Sequence, residues 1–423
     1  MQPLTPMHPI PFDSRARATK IAWPRPSGRT RSAWVLVLAL GLAACSEADD
    51  GAGVDGGSPV DGGAPDASAF DAGSAPDASI LEDDAATRDA SVPRRDAGPI
   101  GDTPLAMLAA SMEPGTWAEL VTEGLTEEIT QAPPPGSGLQ IMGWSDDAHW
   151  DSRTHQLLFM GLRQTRRFIA YSERTNAWRN IPFAGEPGAP HLENRFGHMY
   201  GNNGFDIERS RFYHLYHGGS TLPGSEPTSN EPGISYYDVV EERWVALPPG
   251  GIYPDTGCIE YFSARNGLVQ DRGMFFSDDS GGWETFERPD VSGDHGLARH
   301  NPIREELLFV GGSDTQRVVV AMGAGGALVR WPDLPVDATV RFDKLTVDPL
   351  SGRYLLLLTA EGERALWELD GDTRTYRLVD DFTSTPFPFT RYDQPVVAFL
   401  PEHGVTMWVA DRSERVWLYR HDR

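Results

Sequence analysis

Beyond residue 100 the chain alternates short apolar runs with clusters of Gly, Pro, Asn and Asp, and its apolar positions show almost none of the three-to-four spacing of an amphipathic helix. Short runs rich in β-branched and aromatic residues, bounded by turn formers, predict strands. The domain is expected to be all-β.

Stacking the runs exposes a weak repeat. Its first half is a turn opened by Asp, Asn or Pro and followed by an apolar strand: DSRTHQLLFMG from Asp151, DIERSRFYHLYHGG from Asp206, NPIREELLFVGG from Asn301, DPLSGRYLLLLTA from Asp348 and PEHGVTMWVA from Pro401, with a shorter form, DRGMFFSDD, from Asp271. Its second half is a hairpin with an aromatic early and a Trp or Tyr late: FIAYSERTNAWRNIP from Phe168, ISYYDVVEERWVALP from Ile234 and ALWELDGDTRTYRLVD from Ala365. A spacing of about fifty residues is that of propeller blades built from four strands each. The order GG, then Tyr-Asp or Tyr-Ser, then Trp and Leu-Pro or Ile-Pro resembles kelch-type blades over most of residues 140–423. It is closest in the first two units and looser afterwards.

The runs divide into six blades, at 140–184, 195–250, 256–290, 294–335, 342–382 and 392–421, the third short for four strands; five or seven blades also fit the pattern. The last unit supplies three strands before the chain stops. GTWAEL, from Gly115, has the Trp and Leu of the missing one, so Thr116 to Val121 is expected to complete the final blade. Such pairing closes the ring and removes an exposed sheet edge.

The first hundred residues change the picture differently. AWVLVLALGLAAC, from Ala33, follows a basic lead containing Arg25, Arg29 and Arg31. An apolar run of about a dozen residues suits a signal-peptide core and is too short to span a bilayer. Leu42, Ala43, Ala44 and Cys45 resemble a bacterial lipobox, which implies cleavage after residue 44 and a lipid on Cys45. Residues 45–100 are then dominated by Asp, Gly, Ala, Pro and Ser, with too little apolar surface to offset ordering entropy, and read as a disordered tether. The propeller domain occupies 101–423, and the expected address is the cell envelope, anchored to the outer membrane.

A net charge of −24 argues against nucleic-acid binding, which needs clustered Lys and Arg. Two cysteines, one of them Cys45, leave Cys258 as a free, buried thiol rather than part of a disulfide framework.

Strand alternation places the segments before each inner strand, and the links between second and third strands, on one face. That brings Asp146, Asp147, Arg195, His198, Asp255 and Asp294 toward one mouth, together with His295, Asp343, Lys344, Arg391 and Asp393. Mixed acidic and basic groups there can hydrogen-bond a glycan or peptide, or hold a hard cation through the carboxylates. The same residues can equally cap turns and bridge blades.

Galactose oxidase is built on a kelch-like propeller, and that resemblance would imply copper held by Tyr and His with a Cys joined to a Tyr. Tyr213, His214, Tyr216 and His217, with Cys258 near Tyr261, offer an incomplete version of that set, and alternation sends Tyr213 and His214 to opposite faces. SDDSGGW, from Ser277, looks like the Asp-box hairpin of sialidases with one residue missing, a structural feature in that family. No phosphate loop, His-Glu-x-x-His or Gly-x-Ser-x-Gly motif occurs. Trp178, Trp244 and Trp367 recur at equivalent positions and read as core between blades. No catalytic residue, metal or cofactor is singled out. The expectation is a lipid-anchored binding module for a glycan or protein partner, with a copper oxidase or glycan-active hydrolase, working in the axial cleft, as the alternative.

Overall fold

The structure is a computed structural model. It describes residues 101–126, 129, 148–160, 167–182, 201–217, 232–248, 258–291, 296–311, 317–336, 344–360, 363–383, 395–410 and 414–422. Cys45 and the segments 1–44 and 45–100 lie outside the described residues.

The described residues form six four-stranded antiparallel sheets, and each is a simple meander. The blades span 149–181, 203–246, 259–285, 296–330 and 344–380, with the sixth made of 396–420 and Thr116–Leu120. First strands of neighbouring blades approach one another around the ring, so they line its axis. Six apolar clusters fill the six blade interfaces. Phe168, Phe212 and Trp244 lie between blades 1 and 2, for example, and Phe262, Val269 and Phe309 between blades 3 and 4. Within Glu306–Gly311, Leu307 and Phe309 face blade 3 while Leu308 and Val310 face blade 5. A strand buried on both faces reads as an unbroken apolar run, which is why LLFV and LLLL carry no alternation.

The ring closes as expected. Thr116–Leu120 pairs antiparallel with Arg415–Arg420, Trp117 opposite Tyr419 and Leu120 opposite Val416, one residue short of the expected end at Val121. The chain then crosses to blade 1, where Glu123 accepts from Trp178 N and donates to Asn176 O. One segment therefore joins the outer strand of the last blade to that of the first.

Three expectations are corrected. A helix, α1 (Pro104–Ser111), precedes the closing strand where no helix was expected. Its signal was local rather than periodic: Thr103 caps the N-terminus by accepting from Ala106 N, and Pro104 occupies the first turn. DRGMFFSDD does not open on the turn between first and second strands like the other units. Asp271 begins the turn between the second and third strands of blade 3, and Ser263–Arg265, a single 3-10 turn, takes the expected place. The third strand of blade 2 starts at Pro232, two residues before the run expected from Ile234.

The two faces of the ring differ. On one, here called the turn face, the hairpin turns are 152–155, 207–210, 263–266, 302–305 and 401–404 between first and second strands, with a longer one at 348–353. Those between third and fourth strands are 173–176, 239–242, 278–281, 324–327 and 371–374. The opening Asp or Asn bonds its own turn: Asp206 Oδ1 accepts from Glu208 N and Arg209 N, and Asn301 Oδ1 from Ile303 N and Arg304 N. The turn often ends in a left-handed residue, Gly in Gly281 and Gly404 but His155, Ser210 and Asn176 elsewhere. The longer connections, such as 182–202, 218–231, 331–343 and 381–395, join strand ends at the opposite, loop face.

Candidate functional site

Of the residues expected around the mouth, Lys344 is described; Asp146, Asp147, Arg195, His198, Asp255, Asp294, His295, Asp343, Arg391 and Asp393 lie outside the described residues. Lys344 corrects the expectation of a loop residue. It opens the inner strand Lys344–Val347, pairs with Leu357 and is buried. Leu345 and Val347 face blade 4, so alternation turns Lys344 toward blade 6.

The axis holds a polar cluster that the repeat pattern did not single out. His149 comes from blade 1, Glu260 from blade 3, and Arg299 and His300 from blade 4; all are buried and line one cavity with Trp150, Phe205 and Ala398. His149 stacks on Phe205, ring centroids 5.8 Å apart, and its Nε2 has no hydrogen-bond partner among the described residues. Burial, and then the positive charge of Arg299 on the opposite blade, hold His149 well below the usual imidazole range. The same two causes push His300 down to about 4, so both rings are neutral at pH 7. Glu260 Oε1 accepts from His300 N at 3.3 Å. The available signal was ARHN before the Asn301 turn: two basic side chains on a strand that the repeat buries on both faces.

The size of this cavity decides what it can hold. At about 20 Å³ it accommodates one water-sized body and excludes a sugar ring or a peptide side chain. A larger groove of about 470 Å³ lies outside, along the seam between blades 1 and 2, lined by Arg179, Tyr237, Glu242, Arg243 and Trp244. Arg179 and Glu242 form an exposed ion pair across it at 3.2 Å.

The partial copper set separates into structural contacts. Tyr213 and Tyr261 stack with centroids 5.5 Å apart, and both hydroxyls donate to Asp278 of the SDDSGGW hairpin. Arg209 reaches the same carboxylate at 2.8 Å from the next turn. His214 faces away and its Nδ1 meets Asn203 Oδ1 at 2.8 Å; burial holds its ring at about 3. Cys258 is buried and in no disulfide, and its side chain hydrogen-bonds Asp271, whose carboxyl burial raises to about 6. The side chains of Tyr216 and His217 lie outside the described residues. Trp178 and Trp244 sit in blade interfaces, and Trp367 packs against one.

No protein-family model matches the chain, and no curated protein matches it. Among solved structures it is similar to a chain of the mitotic checkpoint complex, at 10% identity and a TM-score of 0.43, covering 74% of this chain and 98% of that one. It is also similar to TolB from Acinetobacter baumannii, at 12% identity and a TM-score of 0.35, over 54% of this chain and 52% of that one.

Proposed function

We propose that the chain is a lipid-anchored, extracytoplasmic β-propeller that acts as a binding module for a glycan or protein partner docked on its loop face. The observation that carries this reading is the asymmetry between the two faces. The turn face consists of short, self-capped hairpins, whereas the long connections meet the ring at the other end. Rigid scaffolds place recognition on such loops. The sequence of these connections supplies Asp146, Arg195, His198, Asp294, His295 and Asp393 for polar contacts. The axial cavity is too small for a partner, which directs docking to the loops.

Lipid on Cys45 and the polar tract after it would hold the ring away from an outer-membrane surface, and the net charge of −24 weighs against nucleic acid as the partner. Site-specific photo-crosslinking of the full chain in its host tests the reading. A crosslinker at His295, in the segment ahead of the inner strand Gly296–Asn301, should capture a discrete protein or glycan adduct, and one at Arg174 on the turn face should not. Equal capture from both positions, or none from His295, defeats the proposal. The mass of the mature N-terminal peptide tests the lipid on Cys45 independently.

A further inference from the structure

On the turn face, where the first and last blades meet, three side chains converge that the proposed binding role does not use. His155 ends the first turn of blade 1, Glu173 opens the second, and His403 belongs to the first turn of blade 6. His155 Nδ1 and His403 Nε2 lie 3.0 and 3.1 Å from the same atom, Glu173 Oε2. All three donor atoms lie within 4.8 Å of one another. We propose that these three residues form a site for a divalent transition-metal ion, of which zinc is the best chemical fit, and that the bound ion clips blade 1 to blade 6.

Donor chemistry selects the ion. Two imidazoles and one carboxylate suit zinc, whereas calcium and magnesium require predominantly oxygen ligands. Donors that share one ion at about 2.0–2.2 Å stand roughly 3 Å from one another, which is the nitrogen–oxygen spacing found on both sides of Oε2.

The surroundings hold the donors in place. Thr103, the cap of α1, donates to the other carboxylate oxygen, Oε1, at 2.6 Å, leaving Oε2 turned toward the imidazoles. Trp150 meets both rings edge-on, with centroids 6.1 Å from His155 and 6.2 Å from His403, and its Nε1 is fixed by Glu402. Fixing the orientation of ligands in this way raises metal affinity.

Charge and access agree. The Glu173 side chain is 0% exposed, and its ion-pair partners among the described residues are the two histidines alone. A dication at Oε2 would compensate that buried negative charge. The histidine side chains remain 14% and 11% exposed, leaving a solvent side for ion arrival and for a water as fourth ligand. Because His403 is 230 residues from Glu173 in sequence, the ion would tie the two ends of the ring.

The full chain, dialysed against EDTA and titrated with zinc chloride, provides the test. Wild type should bind one zinc per chain and gain at least ~3 °C in Tm at saturating metal. His155→Gln with His403→Gln keeps hydrogen-bond donors facing Glu173 but removes both nitrogen ligands. It should lose at least a hundredfold in zinc affinity while retaining a metal-free Tm close to wild type. Equal zinc binding and equal Tm shifts in the two proteins would overturn the proposal. If the double variant does not fold, cobalt added to metal-free wild type decides: intense visible bands of a four- or five-coordinate ion support the site, and the spectrum of aqueous cobalt refutes it.

Discussion

Trp117 lies directly opposite Tyr419 across the closing strand pair, their ring centroids 4.7 Å apart, although the whole ring separates them in sequence. Trp408 and Phe382 complete the contact at 5.6 and 6.4 Å, so the indole packs against both blade 6 and blade 5. Trp117→Ala is expected to cost about 2–3 kcal/mol, less than a fully buried Trp because the side chain is half-buried. Urea denaturation checks this; a loss below about 0.5 kcal/mol would show that the pairing does not stabilise the ring. The exposed Glu119–Arg415 pair on the same strands should matter far less, about 0.5 kcal/mol or under for Glu119→Gln.

Asp278 ties blade 3 to blade 2. It accepts from Arg209, Tyr213 and Tyr261, and Arg209 also donates to Asn266 at 2.7 Å. Removing the carboxylate takes an acceptor from two buried phenols and from a third-exposed guanidinium that keeps its bonds to Asp206, Asn266 and Tyr261. Asp278→Ala should therefore lose about 2–3 kcal/mol in equilibrium unfolding. A near-neutral result would mean that water replaces the carboxylate without loss.

Buried imidazoles give the fold a pH dependence whose sign follows from their shifts. His300 protonates near 4 in the folded chain and near 6.5 when unfolded, so between those values the unfolded state binds more protons. Stability from this residue is fully present above pH 6.5 and declines as pH falls toward 4, reaching a loss of about 2 kcal/mol at pH 5. Asp271, raised to about 6, acts in the opposite sense over the same range, so the clean measurement is differential. The stability gap between wild type and His300→Gln should narrow by about 2 kcal/mol from pH 7 to pH 5; a constant gap contradicts the assignment.

Gly267 opens the second strand of blade 3, where a Cβ would stand 2.1 Å from Phe276 O and 2.7 Å from the Phe275 ring. Arg265 also lies over that ring, its guanidinium 4.4 Å from the centroid. Gly267→Ala is expected to lose about 2–3 kcal/mol through forced strand separation. Gly282, whose Cβ would meet nothing closer than Ser280 Oγ at 3.8 Å, is the control. Gly282→Ala should change thermal stability little, and equal effects at both positions would rule out the steric explanation.

The architecture was legible because propeller blades repeat their chemistry. Asp151, Asp206, Asn301 and Asp348 mark successive turns since each side chain must satisfy backbone N–H groups of its own hairpin. GTWAEL was recognisable as a displaced fourth strand because the last blade had three. Helix α1 escaped the periodic pattern because eight residues are too few to show one, though Thr103 and Pro104 carried its cap. The shift at Asp271 arose because blade 3 has compact connections, so an Asp-opened turn between its second and third strands mimics the turn that opens other units.

Sequence alone determined the ring of sheets, its approximate blade boundaries and the pairing of its ends, because burial pattern and turn chemistry are local properties repeated along the chain. Tertiary structure decided which polar groups meet. His149 and Arg299 share an axial cavity from opposite blades, and His155, Glu173 and His403 gather at the seam, through contacts between residues as many as 230 positions apart. No local spacing encodes those meetings, since they depend on the angle at which each blade follows the last around the closed ring.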